Sequence, residues 1–112
     1  PKHLINANTF PGGYVTVDDS WLNPWRVGPN SSLGWRAAAA SGNGPKTFGM
    51  EIAATRAFSE CQVQKVFKNV CFRAPSDAQD RAQVQAMTAS FRSNGYQLKR
   101  VFAEAATYCM GD

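Results

Sequence analysis

Hydrophobic and polar positions follow two different rhythms along the 112 residues. From Thr47 onward apolar side chains recur every three or four positions, the spacing that gives an α-helix one buried stripe. A first helix is expected over residues 48–56, with Thr47 as its cap and Met50, Ile52, Ala53, Ala54 and Ala57 as its apolar set. Ser59-Glu60-Cys61-Gln62 then fits a capping box, and Phe58 and Val63 fit the hydrophobic staple around it, so a second helix is expected to begin there. Its apolar residues Val63, Val66, Phe67 and Val70 fall at i, i+3, i+4 and i+7, and it should end near Phe72, ahead of Pro75. Ser76-Asp77-Ala78-Gln79 repeats the capping signature, Asp77 and Asp80 place negative charge at the positive end of the helix dipole, and Val84, Met87, Thr88 and Phe91 form the third stripe. Asn94-Gly95 ends that helix. Leu98, Val101, Phe102, Ala105 and Cys109 form the fourth stripe.

The expected fold is mainly α: a small three- to four-helix bundle over residues 47–110. Its short connections force neighbouring helices antiparallel, so the last three should run up, down, up, with the first laid across them. Residues 47–112 would form the helical domain and residues 1–46 an irregular wrapping or docking segment, the whole making one structural domain.

That segment holds five of the six prolines, six of the nine glycines and all three tryptophans, which is the composition of turns and anchors. Tyr14-Val15-Thr16-Val17 is its one strand-like run, and residues 37–40 offer one helical turn. So long an irregular stretch should wrap something. Trp21, Trp25 and Trp35 are read as collar anchors pinning it across the helices, the alternative being that they dock on a partner.

The three cysteines narrow the architecture further. Cys61 and Cys71 lie ten residues apart on one helix, about 15 Å at the α-helical rise, too far for a disulfide. In an up-down-up bundle the C-terminal ends of the second and fourth helices share one end, which brings Cys71 to Cys109. A Cys71–Cys109 disulfide is expected, with reduced, packed thiols as the cytosolic alternative. Cys61 points about 160° away from Val63 on the helix, towards the first helix or the wrapping segment. It reads as a small hydrophobe under the collar. The other reading is a reactive thiol, since the first turn of a helix favours the thiolate.

Composition and charge exclude several classes. The formal charge is +4, with four basic and two acidic residues before position 47 and eight and six from there on, so no basic tract marks a nucleic-acid face. No apolar run approaches the ~20 residues of a membrane span. His3 is the only histidine, and no Cys/His cluster has metal spacing, so no cofactor or metal is expected. Gly42-Asn43-Gly44-Pro45-Lys46-Thr47 superficially matches a phosphate loop, but Pro45 separates the Gly from the Lys and no strand precedes it; it reads as a turn before a helix. Asp18-Asp19 and Asp77/Asp80 are close acidic pairs explained by a turn and by capping, and neither has a partner base. Asn30-Ser31-Ser32 is a glycosylation sequon, informative only in a eukaryotic secretory chain. The opening Pro1-Lys2-His3, without an initiator Met, reads as a processed product or a piece cut from something longer.

Gly49-Met50-Glu51-Ile52-Ala53, Phe58-Ser59-Glu60-Cys61, Cys71-Phe72-Arg73, Asp77/Asp80 and Phe91-Arg92-Ser93-Asn94-Gly95-Tyr96-Gln97-Leu98 follow one another in an order and spacing that resembles a known family. It is the C-terminal helical domain of unknown function that closes large planctomycete-type proteins carrying cytochrome-c-like domains, and the resemblance covers residues 44–109. Cys71 and Cys109 fall where members carry Gly and Ser or Ala. The resemblance implies an extracytoplasmic accessory module in a redox or polymer-processing context, with a c-type cytochrome as a candidate contact.

The sequence thus points to a non-enzymatic, extracytoplasmic helical interaction module of a larger secreted or periplasmic, redox-associated assembly, whose partner is another protein or the remainder of a longer polypeptide. The alternative is a redox-linked module, with Cys61 as its working thiol or with the module docking onto a c-type cytochrome. An enzyme built on Asp18/Asp19 would need a concave pocket holding a perturbed carboxylate there.

Overall fold

The structure, a computed structural model, describes residues 18–36 and 40–110. His3, the strand expected at Tyr14 to Val17 and most of the expected turn over residues 37–40 lie outside the described residues. The elements in chain order are β1 (Ser20–Leu22), short 3-10 helices at Pro24–Arg26 and Gly28–Leu33, β2 (Ser41–Asn43), α1 (Gly44–Ala53), α2 (Arg56–Cys71), α3 (Ala78–Ser93) and α4 (Leu98–Cys109). No helix among the described residues is long and apolar enough to cross a membrane.

The last three helices form the expected up-down-up bundle. One core unites Val63, Val66 and Phe67 of α2, Val84, Met87 and Phe91 of α3, and Val101 and Ala105 of α4. These are stripe residues read from the helical period, because an amphipathic helix buries the face on which its apolar side chains coincide. Not every stripe residue is covered: Leu98 and Phe102 remain exposed on α4. With Val101 and Ala105 turned inward, the side of α4 that carries Leu98 and Phe102 has no fourth bundle helix to meet.

That missing helix is α1, and its placement corrects the sequence reading. It packs mainly against the β1–β2 pair and meets the bundle only at its near end, along α2 and at Arg92 of α3. The reason lies in which face it buries. Its sole buried residue is Glu51, held by the Asn23 amide and by a two-point ion pair with Arg26, while Met50 of the supposed apolar set is exposed. A polar contact with the N-terminal segment has displaced the apolar contact with the bundle.

The described part of the N-terminal segment accordingly packs on itself and on α1. β1 pairs antiparallel with β2, aligning Trp21 with Gly42. A Cβ at Gly42 would lie 2.7 Å from the indole of Trp21, so glycine is what leaves room for that ring. Trp21 also meets the Phe48 ring edge-on at 5.3 Å and donates to Thr47 Oγ1. Trp35 donates to the Asn30 carbonyl, and Trp25 is exposed. The bundle core contains no tryptophan. The collar is therefore corrected: Trp21 and Trp35 tie the segment to itself and to α1.

Three helix starts also shift. α1 begins at Gly44, so Thr47 is an interior residue whose hydroxyl bonds back to the Asn43 carbonyl. α2 begins at Arg56 with Thr55 as N-cap, its Oγ1 accepting from Phe58 N–H at 3.1 Å, a contact worth about 1 kcal/mol. Ser59 is buried inside α2, where its hydroxyl bonds the Thr55 carbonyl. Both Thr55 and Ser59 satisfy the capping pattern, and the earlier one wins because the Arg56 N–H, otherwise an orphan of the first turn, is taken by the Gly34 carbonyl at 3.1 Å. At α3 the cap is Asp77, accepting from the Asp80 N–H, instead of Ser76.

Candidate functional site

Two ends of the bundle carry the chemistry, and they lie a helix length apart. At the first, Cys71 closes α2, Cys109 closes α4, and the two are joined by the expected disulfide, with Cα atoms 5.6 Å apart. Beside it Asp80, only 1% exposed, collects the Arg73 guanidinium, the Ser76 N–H and hydroxyl and the Tyr108 phenol. The Arg73 pairing and the Ser76 N–H hold the Asp80 carboxyl well below the usual carboxylate range. Burial and the adjoining carboxylate push the Tyr108 phenol up. With every partner in place the ionised carboxylate is locked as a structural hub. It joins the α2–α3 connection, the start of α3 and the end of α4 at one point.

The same end exposes the residues that follow each cysteine. Phe72 caps α2 in the left-handed region at φ 56° and is 93% exposed; Met110 is 82% exposed. Glycine is the usual residue at such a turn, since a side chain there costs roughly 1–2 kcal/mol. A phenylalanine carries that cost and shows water nearly its entire ring.

The opposite end is the junction with the N-terminal unit. Arg92, in the last turn of α3, reaches across to donate from Nη2 to the Ala54 carbonyl at the end of α1, at 3.3 Å, while its buried Nη1 has no hydrogen-bond partner among the described residues. Two grooves flank it. The larger, about 610 Å³, runs between α2 and α3 along Arg56, Glu60, Gln85, Thr88, Ala89 and Ser93, and there the Arg56 guanidinium is already paired with Glu60 at 3.1 Å. The smaller, about 350 Å³, is walled by Arg36, Met50, Ala53, Ala54, Arg92 and Tyr96 and contains no carboxylate. Gly34 makes the junction close: its φ is +78°, and a Cβ there would stand 2.7 Å from Arg56 Cβ. Behind the smaller groove, the Arg26 pairing holds Glu51 below the usual carboxylate range against the opposing effect of burial.

Cys61 is a free, exposed thiol in the second turn of α2, so the sequence reading of it as a hydrophobe under a collar, in a first turn, is corrected on both points. Moving the helix start from Ser59 to Thr55 carries Cys61 away from the helix end. Asp18 is exposed and accepts from Ser20 in a tight turn, which lowers its carboxyl, and nothing in that contact supplies a base. Among the described residues no group of His, Cys, Asp and Glu could hold a metal ion. The sequence missed the Arg92 junction entirely, since an arginine in a last helical turn reads as a favourable dipole contact and nothing more.

No family model, no curated protein and no solved structure matches this chain.

Proposed function

We propose that this protein is a non-enzymatic, extracytoplasmic interaction module, an accessory piece of a larger secreted or periplasmic assembly. The observation that carries the reading is Phe72. It carries a conformational cost and leaves an aromatic ring in water, and among the described residues no contact offsets either. A partner that buries the ring returns both. The disulfide immediately before it fixes the ring's base, which spares the partner the entropy of ordering that tip. A bridge of this kind also favours an oxidising compartment.

Phe72→Gly separates the two roles of the position. The variant is expected to be neutral to stabilising by about 1 kcal/mol in urea unfolding, because glycine adopts the left-handed cap without strain. In its native source it should nevertheless drop out of the high-mass fraction that holds the wild-type chain. Retention in that fraction at wild-type stoichiometry, or a loss of stability, overturns the proposal.

A second reading has one observation behind it, the exposure of the unpaired Cys61 thiol, which fits a redox-linked role such as docking beside a c-type cytochrome. Under that reading Cys61→Ser abolishes function in the native source and Phe72→Gly does not.

A further inference from the structure

We propose that the groove where α1 meets the end of α3 binds a monocarboxylate carried on an apolar body. The groove, about 350 Å³, lies at the small end of the range for organic ligand sites. Arg36 lines it from the N-terminal unit and Arg92 from the bundle, so two arginines contribute to one wall. Among the described residues neither is ion-paired. Glu51, whose carboxyl feels the Arg36 charge, already has both oxygens bonded to Arg26. Between the arginines the walls are Met50 and Tyr96, which are 54% and 42% exposed, with Ala53 and Ala54.

Excess positive charge around an apolar floor selects a ligand with one anionic end and one greasy end. Arg92 adds the sharper indication. Its Nη2 is spent on the Ala54 carbonyl and its Nη1 is a charged donor shut away from water with no acceptor, an arrangement that is costly and rare. Turning the guanidinium towards the groove would present that donor to a ligand carboxylate. The larger groove does not make the same offer, because Glu60 already neutralises Arg56 there. A small free acid and the C-terminal residue of a peptide share the required chemistry. The site stands at the far end of the bundle from Phe72, so it goes beyond the interaction reading and does not depend on it.

Titration of the 15N-labelled chain with 3-phenylpropionate tests the site by NMR. Saturable shifts are expected at the amides of Met50, Ala53 and Tyr96, and Arg36→Gln, which alters an exposed side chain, should weaken binding roughly tenfold. The neutral 3-phenylpropionamide and inorganic phosphate should give no saturable shift. A short peptide ending in a free Phe carboxylate, compared with its amidated form, distinguishes the sources. Tighter binding than the small acid assigns the site to a chain end, weaker binding to a free acid, and both support the carboxylate site. Absence of saturation at tens of millimolar, equal binding of the amide, competition by phosphate alone, or an unchanged affinity in Arg36→Gln overturns it.

Discussion

Replacing Cys71 and Cys109 together by alanine should lower the thermal midpoint by roughly 15 °C or more and raise the urea m-value, with the helical signal of the native state retained. The bridge closes a sequence separation of 38 residues, and constraining a loop of that length in the unfolded chain contributes about 4 kcal/mol. The effect is large because the core is small: among the described residues eight buried apolar side chains hold three helices, and α1 adds none. Both measurements are needed. A fall in midpoint with an unchanged m-value would mean that the bridge acts through packing at the bundle end and not through the unfolded chain.

The second large effect is at Asp80. Asp80→Asn should lower the midpoint at neutral pH by roughly 10 °C, because it removes the buried carboxylate charge that the Arg73 guanidinium meets while keeping the side chain's shape. The pH dependence gives the sharper test. The folded state holds the Asp80 carboxyl below its value in the unfolded chain, so its contribution is fully present above the unfolded value of about 4 and is lost as the pH falls from there towards the folded value. Wild-type stability should therefore decline steeply below about pH 4, and the Asn variant should show a flatter acid limb. Glu51, also held low, contributes a residual slope of the same sign in both proteins. An equally steep limb in Asp80→Asn would show that Asp80 is not the group being protonated.

The bundle could be read from the chain because its information is local and periodic. Val63, Val66 and Phe67 share a face at helical spacing, and so do Val84, Met87 and Phe91; burying those faces with short connections leaves little choice of topology. The disulfide followed from topology alone. What could not be read depended on polar contacts between residues far apart in sequence. Glu51 and Arg26 lie 25 positions apart, and nothing in the spacing around either reveals that they meet and turn α1 away from the bundle. The same holds for Asp80 and Tyr108, separated by 28, and for Arg92 and Ala54, separated by 38. The α2 start was misplaced for a different reason: Thr55 and Ser59 both satisfy capping chemistry one turn apart, and only the Gly34 carbonyl decides between them.

The arrangement as a whole rests on α2 and α4 pointing the same way with their last residues joined. Alkylating the chain from its native source without reductant, digesting it with trypsin and mapping the fragments tests this in one experiment. The structure requires a single adduct on Cys61 and a cross-linked pair of peptides, one carrying Cys71 and the other Cys109. Alkylation of Cys71 and Cys109 as free thiols, or Cys61 found in the linkage, would contradict it.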